Sequence, residues 1–213
     1  MNIATSWSGG KDSCYALLLA MREGHTPLAL LNVLNEQGKI SRSHGLPLHL
    51  LQQQAAQLGV PLSTVAASWQ AYETNFVDLL RDAKERYGIE GVVFGDIDLQ
   101  AHRDWEEKVC ARTSLQALLP IWQKDRTTLV HDMLREGFAC MIVSCQANMG
   151  ERFLGRTLTA ELVEELESMG IDPCGENGEY HTLVVNCPLF RQPLTLPGYQ
   201  TASHEGYWFV QWD

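Results

Sequence analysis

The chain has 213 residues, a formal net charge of −10 at pH 7 and a sequence pI of about 5.1. Hydrophobic residues make up 45% of the chain and charged residues 20%, which supplies a packed core and excludes wholesale disorder. The acidic balance argues against non-specific binding of nucleic acid or of a membrane surface. No stretch approaches the ~18 apolar residues of a membrane span, so we expect no membrane partner.

The six cysteines are scattered along the chain and form no Cys-x-x-Cys pair. No secretory signal is visible in the first residues, which carry neither a basic region nor a long apolar one. The cysteines are therefore expected to be reduced thiols rather than disulfides or zinc ligands, and we expect the protein in the cytoplasm.

The first short apolar strand is followed by Ser8-Gly9-Gly10-Lys11-Asp12-Ser13, which opens a helix. Two glycines let the backbone approach a ligand closely, and Lys11 adds a positive charge. The unpaired N–H groups at the start of the helix favour an anion at the same place. The loop is not a Walker A motif, because Thr5 and Asp12 stand where that motif needs Gly and Ser or Thr. The alternative is an ordinary strand-to-helix turn with a solvent-facing lysine.

Five helical stretches each end at a glycine, and an apolar strand follows four of them. The predicted helices are residues 12–23, 48–58, 72–87, 125–136 and 159–169, and the strands are residues 28–34, 62–65, 92–94 and 138–143. Glycine suits the left-handed residue that ends a helix. The strands are continuous apolar runs, which is typical of burial on both faces. The pattern predicts an α/β fold with a parallel sheet covered by helices.

Two polar loops leave strands of this predicted sheet at the end where ligands bind in such folds. Residues 35–45 are long and rich in hydrogen-bonding groups, which favours contact with a substrate; a solvated surface loop is the alternative. Soon after the strand 92–94 comes Asp96, a candidate ligand of Mg²⁺. Asp98 is expected to cap a helix that begins near Ala101.

The pattern changes after about residue 145, where short strands alternate with prolines. The predicted strands of this region are residues 183–185, 194–196 and 207–210. We therefore divide the chain into a nucleotide-binding part, residues 1–120, and a smaller C-terminal α+β part that binds substrate, residues 121–213. The active cleft is expected between the two parts.

A second group of chemically distinctive residues runs from Glu176 to Thr182. Glu176 and Glu179 lie there among two glycines, ahead of an apolar strand. Because carboxylates repel a phosphate, these two glutamates need a different role from that of Lys11. They could hold a cationic substrate, accept a proton from an attacking nucleophile, or share the magnesium.

Both motifs resemble those of one known superfamily. Ser8-Gly9-Gly10-Lys11-Asp12-Ser13 resembles the pyrophosphate-binding loop (PP-loop) of the ATP pyrophosphatases. Glu176-Asn177-Gly178-Glu179-Tyr180-His181-Thr182 resembles the second motif of one branch, the diphthine–ammonia ligases and their bacterial relatives. The motifs stand in the same order and at a similar separation as in that branch, and the similarity runs over nearly the whole chain.

The resemblance implies a doubly wound parallel sheet of the adenine nucleotide alpha hydrolase-like type. It also implies that ATP, with Mg²⁺, adenylates a substrate carboxylate, that pyrophosphate leaves, and that the acyl group is coupled to ammonia. The implied ATP-binding residues are Ser8, Gly9, Gly10, Lys11, Asp12 and Ser13, the catalytic residues Lys11, Glu176 and Glu179, and the magnesium ligand Asp96. The implied substrate contacts are His44, Asp96, His102, Arg103, Asn177, Gly178, Tyr180, His181 and Thr182.

The chain departs from the archaeal and eukaryotic ligases on the substrate side. Residues 41–45 and 99–103 differ from the ligase segments, and His181 stands where those enzymes carry Glu. Arg103 could bind phosphate or lie on an exposed first helical turn. The expected partners are ammonia and an unidentified small-molecule or protein carboxylate, and a homo-oligomer is compatible with the sequence. The alternatives are another adenylating enzyme that modifies tRNA or a small molecule, and a non-catalytic adenine-nucleotide sensor.

Overall fold

The computed structural model describes residues 1–213 and contains two β-sheets, six α-helices and one short 3-10 helix. The strands are β1 Asn2–Ser6, β2 Thr26–Leu34, β3 Leu62–Ala66, β4 Gly91–Val93, β5 Gln116–Leu118, β6 Ala139–Gln146, β7 Tyr180–Asn186, β8 Tyr199–His204 and β9 Tyr207–Trp212. The helices are α1 Lys11–Arg22, α2 Leu48–Leu58, α3 Tyr72–Tyr87, α4 Gln100–Ala111, α5 Arg126–Arg135 and α6 Ala160–Ser168. None of the helices combines the length and apolar character needed to cross a membrane.

The first sheet confirms the predicted α/β fold. Its strand order is β3-β2-β1-β4-β5, and all neighbouring strands run parallel. The order reverses at β1, so the crevice at its carboxyl end, between β1 and β4, is where a doubly wound sheet binds its ligand. The loop that follows β1 therefore lies at the switch point of the sheet.

Glycines end the helices of this half as the sequence predicts. Gly59 after α2 and Gly88 after α3 have φ angles of 69° and 68°, in the left-handed region where a side chain would be strained. The short edge strand β5, in contrast, was not predicted, because three residues carry too little pattern to be recognised.

The second sheet differs from the expectation at β6. The helix-glycine-strand pattern placed residues 138–143 in the same series as the parallel strands. The structure instead places β6 in a four-stranded sheet of order β7-β6-β9-β8, where it pairs antiparallel with β7 and β9. Both faces of β6 are buried, so its apolar run looks like that of a parallel strand, but its partners come later in the chain.

Two further details of the C-terminal part differ from the sequence prediction. Residues 194–196 form no strand; the Leu194 N–H donates one hydrogen bond to the carbonyl of Val185, at 2.8 Å. The edge strand β8 was missed, because its polar and exposed residues lack a buried face. The predicted strands at residues 183–185 and 207–210 lie inside β7 and β9.

One hydrophobic core connects the two sheets. It contains 42 buried residues and includes Leu17 from α1, Ile142 from β6 and Leu183 from β7. A separate core of 16 residues lies under α3 and α4 and includes Phe76 and Val109. Helix α1 therefore packs against the second sheet as well as the first, which positions its N-terminus between them.

Hydrogen bonds join the first residues of α1 directly to β7. The Val184 N–H donates to the carbonyl of Gly9 at 3.0 Å, and the Lys11 N–H donates to Thr182 Oγ1 at 3.1 Å. The buried Gln54 amide nitrogen donates to the carbonyls of both Gly9 and Val184, each at 2.9 Å. Two motifs more than 160 residues apart in sequence thus form the two walls of one cleft.

Candidate active site

A cavity of about 510 Å³ opens at the switch point of the parallel sheet. Its walls come from the loop after β1, the end of β2, the segment after β4, the loop before β7, and the facing sides of α3 and α4. The predicted site residues that line it are Ser8, Lys11, Asp12, Ser13, His44, Asp96, His102, Glu176, Gly178, Tyr180, His181 and Thr182. The predicted residues that do not line it are Gly9, Gly10, Arg103, Asn177 and Glu179.

The two glycines of the loop serve its packing rather than the cavity wall. Gly9 has a φ angle of 83°, and a Cβ atom there would lie 2.7 Å from a methyl group of Leu46. A Cβ atom on Gly10 would lie 2.8 Å from His44 Nδ1. On the other side, a Cβ on Gly95 would lie 2.6 Å from the Ser13 nitrogen. Glycine at these positions lets the segments after β2 and β4 close tightly around the start of α1.

Lys11 is buried, with 3% of its surface exposed, and is held by two partners. Its Nζ donates to Asp12 Oδ2 at 2.8 Å and to the carbonyl of Cys174, in the loop before β7. Burial lowers the pKa of Lys11, but the negative charges of Asp12 and its neighbours outweigh burial and leave the pKa well above its ordinary value. Lys11 is therefore a permanently charged cation that connects the two walls.

Several carboxyl groups share the cleft with this lysine. Burial raises the pKa of Asp12, although Lys11 opposes the rise. Burial and the charges of Asp12 and Asp96 raise the pKa of Glu176 to about 8. A carboxyl group with a pKa near the working pH suits proton transfer, and Glu176 is the glutamate of the motif that faces the cavity.

Glu179 points into its own turn. Its carboxylate accepts hydrogen bonds from the Asn177 main-chain N–H and side-chain amide, both at 3.0 Å, and from the Asp172 N–H at 3.3 Å. Burial raises the pKa of Glu179, but these hydrogen bonds outweigh burial and lower it. Glu179 and Asn177 therefore stabilise the turn from which Glu176 faces the cavity.

Two histidines stack on one another beside the loop. The rings of His44 and His181 lie 4.6 Å apart and are nearly parallel, and His44 Nδ1 lies 3.1 Å from the carbonyl oxygen of Thr182. Burial lowers the pKa of His44 to about 4 and that of His181 to about 3. Both imidazoles are therefore neutral at physiological pH and offer hydrogen bonds rather than charge.

The segment after β4 places its charged residues differently from the prediction. Helix α4 begins at Gln100 without a side-chain cap, and Asp98 instead accepts two hydrogen bonds from Arg126, at 2.9 and 2.6 Å. Arg103 pairs with Glu107 at 2.7 Å, outside the cavity. A helix cap was plausible from sequence spacing, but Arg126 lies 28 residues away and only the fold brings it to Asp98.

An aromatic wall and a buried glutamate complete the cavity, and neither was predicted. The wall consists of Trp69, Tyr72, Phe76, Phe94 and Trp105. Glu106 is 3% exposed, and its Oε2 atom has no hydrogen-bond partner. Burial and neighbouring Asp96 raise the pKa of Glu106 to about 11. One signal was available in the sequence: Glu106 precedes Val109 and Cys110 by three and four residues, which puts a charge on the apolar face of α4.

The side chains of the cleft could supply only some of the ligands that Mg²⁺ needs. No three His, Cys, Asp or Glu side chains are arranged to enclose a metal ion. Mg²⁺ at a nucleotide site, however, is held by one or two carboxylates together with phosphate oxygens. Asp12 fits that role, because its Oδ1 atom is buried and has no hydrogen-bond partner.

A glycine-rich loop at the switch point of a parallel sheet, with a buried lysine and facing carboxylates, defines a nucleotide-binding enzyme of the PP-loop type. Family models agree with that class. The model described as diphthamide synthase N-terminal domain matches residues 1–117, and the one described as diphthamide synthase C-terminal domain matches residues 125–213. The chain belongs to the diphthamide synthase family.

Curated relatives of the chain carry the name diphthine–ammonia ligase. The mouse protein is 30% identical, and the match covers 96% of this chain and 86% of the mouse protein. The human protein is 28% identical with the same coverage. The Schizosaccharomyces pombe protein is 32% identical, over 92% of this chain and 36% of its own length. A solved structure, the predicted subunit of tRNA methyltransferase from Methanocaldococcus jannaschii, has a TM-score of 0.49 and 15% identity and covers 91% of this chain and 100% of that one.

Proposed function

We propose that the protein is an ATP-dependent ligase that joins a carboxylate substrate to ammonia, with adenylation of the carboxylate and release of pyrophosphate. One observation carries the proposal. The glycine-rich loop and the Glu176–Thr182 motif, each suited to one half of such a reaction, are hydrogen-bonded to one another through Lys11 and Thr182. The names of the curated relatives support the same reaction class.

The loop after β1 is assigned to the phosphates of ATP. Ser8 and Ser13 line the cavity together with Lys11 and Asp12, which begin α1, and the N-terminus of a helix favours an anion. Leu31, Asn32 and Val33 line the cavity next to this loop and suit the adenine ring. Lys11 would stabilise the negative charge that develops on the departing pyrophosphate.

Magnesium is assigned first to Asp12. The sequence predicted Asp96 for this role, but Asp96 Oδ1 lies 2.6 Å from His102 Nδ1, and Asp96 also contacts Glu106. Asp12 has the free buried oxygen. When bound, Mg²⁺ would neutralise phosphate charge and polarise the α-phosphate for attack.

The proposed ligase reaction has two steps. An oxygen of the substrate carboxylate attacks the α-phosphorus of ATP, the bond to the β-phosphate oxygen breaks, and pyrophosphate leaves. The nitrogen of ammonia then attacks the activated carbonyl carbon, the C–O bond to AMP breaks, and the nitrogen loses one proton as the amide forms. Glu176 is placed to accept that proton, because its pKa of about 8 makes it a better base than an ordinary carboxylate.

The identity of the carboxylate substrate is inferred only by analogy with the name of the relatives. Diphthine is the first candidate to test, because it is named in the curated relatives. His181 and the aromatic wall line the cavity but are not part of the glycine-rich loop, so we assign them to substrate contacts. All six cysteines are free thiols, as expected for the reducing cytoplasm that we propose as the compartment.

Nucleotide products decide between the candidate functions. The protein is incubated with Mg-ATP, ammonium and a panel of carboxylates that includes diphthine, and the nucleotides are separated. AMP and pyrophosphate in equal amounts, dependent on one acid, are expected. ADP as the product would contradict cleavage between the α- and β-phosphates. Tight ATP binding without turnover for any acid would favour the sensor.

A further inference from the structure

The corner of the cavity between α3 and α4 holds two carboxyl groups and no lysine or arginine. Glu106 Oε2 is buried and unpartnered, and neither Glu106 nor Asp96 forms an ion pair with a lysine or arginine. Asp96 Oδ1 lies 2.6 Å from His102 Nδ1. A buried carboxyl oxygen without a hydrogen-bond partner is costly, so the pair of carboxyl groups points to a bound cation that donates a hydrogen bond to it.

Three neighbouring acidic residues, in contrast, have cationic partners. Glu107 pairs with Arg103, Glu73 with Lys108 and Arg112, and Asp98 with Arg126, at distances of 2.6 to 2.8 Å. Cationic side chains are thus available on α4 itself, and they point away from the cavity.

Aromatic rings form the walls of the same corner. The ring centroids of Tyr72 and Trp105 lie 5.8 Å apart, those of Phe76 and Trp105 lie 5.4 Å apart, and all three residues line the cavity with Phe94. Aromatic faces attract ammonium-type cations, and a carboxylate beside them supplies the hydrogen-bond acceptor. Strongly hydrated Mg²⁺ prefers a shell of oxygen ligands, which these rings do not provide.

The corner adjoins the loop that we assign to ATP. The Gly95 backbone contacts the first turn of α1 so closely that a Cβ atom would lie 2.6 Å from the Ser13 nitrogen. Asp96, the next residue, therefore lies next to the point where the acyl adenylate would form. An ammonium ion held there would give one proton to the adjoining carboxyl pair, and the resulting ammonia would be close to the carbonyl carbon that it attacks.

We propose that Asp96 and Glu106, enclosed by the rings of Tyr72, Phe76 and Trp105, form the binding site for the ammonium ion. The use of that ion as a nucleophile rests on the proposed function; the binding site itself does not. In the protein without the cation, burial and Asp96 raise the pKa of Glu106 to about 11. A cation bound against this carboxyl group would favour its ionised form and lower that pKa.

Thermal unfolding with different salts tests the binding site without any turnover. The melting temperature is measured in ammonium chloride and in sodium chloride at equal ionic strength, for the wild type, Glu106→Gln and Glu107→Gln. The wild type and Glu107→Gln are expected to show a saturable stabilisation specific to ammonium, and Glu106→Gln to lose it. Glu107 is the matched control, because it is on the same helix but paired with Arg103 outside the cavity.

Two outcomes of that experiment would overturn the assignment. An equal ammonium effect in Glu106→Gln would show that Glu106 is only a neutral acid, since glutamine reproduces its shape and hydrogen bonding. The same melting curves are also measured in tetramethylammonium chloride, and stabilisation by that cation in place of ammonium would show that the corner takes an alkylated amine of the acid substrate instead.

Steady-state kinetics separate this inference from the proposed function. With an acid that supports AMP formation, Glu106→Gln should raise the KM for ammonium about 10- to 100-fold, the loss expected for a charged hydrogen-bond acceptor. The KM for ATP should stay within about twofold. An unchanged KM for ammonium would reject the site while the ligase stands. If no acid led to AMP formation, the proposed ligase function would be rejected. The melting experiment would still test the ammonium-binding site, because it needs no turnover.

Discussion

The two ends of the cavity balance charge in opposite ways. At the loop end, the cation Lys11 is buried against Asp12, and the helix N-terminus adds further positive character. At the end between α3 and α4, the carboxyl groups of Asp96 and Glu106 lie among aromatic rings without a lysine or arginine. In our proposal, one end of the cavity receives the anionic nucleotide and the other end receives the ammonium cation.

The two ends of the cavity also differ in the interactions that stabilise them. The loop end is fixed by two hydrogen bonds to β7, from the Val184 N–H to the Gly9 carbonyl and from the Lys11 N–H to Thr182 Oγ1. The other end is formed by side chains on two helices that pack through Phe76 and Trp105. We therefore expect substitutions at the loop end to abolish the whole reaction. Substitutions at the other end should change the affinity for one substrate.

The largest expected effect is at Lys11. Lys11→Met removes the cation that would stabilise the departing pyrophosphate, and AMP formation should fall about 10³-fold. It also leaves Asp12 buried without a partner, which destabilises a protein by about 3–5 kcal/mol. The double variant Lys11→Met/Asp12→Asn should recover stability without recovering activity. Lys108→Met, in an exposed pair with Glu73, is the control.

The readouts for Lys11→Met are AMP and pyrophosphate release together with urea unfolding. If the double variant regained activity as well as stability, the role of Lys11 would be structural, and the assignment of the loop end to the leaving group would fail.

Glu176→Gln should have the second-largest effect. Amide formation should fall about 10²-fold, the loss typical of removing a general base. Because the ionised form is the base and burial raises the pKa of Glu176 to about 8, wild-type turnover should increase as the pH rises through about 8. The pH dependence should disappear in Glu176→Gln. Isotope exchange between pyrophosphate and ATP, which reports the adenylation step, should persist.

Glu179→Gln is the matched comparison for Glu176→Gln. It should weaken the loop that Glu179 organises through Asn177, but leave the pH dependence of turnover in place. If turnover no longer increased near pH 8 in Glu179→Gln but still did so in Glu176→Gln, Glu179 would be the base and Glu176 the residue that organises the loop.

Gly10→Ala should have an intermediate effect on the loop end. The new Cβ atom would lie 2.8 Å from His44 Nδ1, and forcing such a contact costs about 1–3 kcal/mol. We expect weaker ATP binding, measured by calorimetry, of roughly 5- to 150-fold. Gly10→Ala combined with His44→Ala should recover part of the affinity, since the clash is removed. Absence of any recovery would place the cause in the backbone rather than at His44.

The smallest expected effect is the pH dependence of stability from the stacked histidines. Burial lowers the pKa of His44 to about 4 and that of His181 to about 3, whereas an unfolded histidine titrates near ~6.5. Below that pH the unfolded chain binds more protons than the folded one, so stability is lost as the pH falls. His181→Gln should reduce the slope of the unfolding free energy by up to about 1.4 kcal/mol per pH unit.

Urea denaturation between pH 4 and 7 measures that slope, and the exposed His204, changed to Gln, is the control. An unchanged slope in His181→Gln would mean that its ring titrates in the folded protein, and that the stack is open to solvent.

Much of the first half of the protein could be read from local sequence. The helices that end at Gly59 and Gly88 and the parallel strands β2 to β4 follow from apolar periodicity and from glycine's left-handed conformation, which neighbouring residues encode. The loop chemistry of Lys11 and Asp12 was equally visible, because it depends on a few adjacent residues before a helix.

Tertiary structure decided the rest of the site. Sequence patterns do not say which sheet receives β6, that Glu179 turns inward while Glu176 faces the cavity, or that Arg103 lies outside it. Each of these depends on contacts between residues that are distant in the chain, and periodicity carries no information about such partners. Glu106 is the clearest case: its position on an apolar helix face was visible, but its unpartnered carboxyl oxygen appears only once α3, α4 and β4 meet.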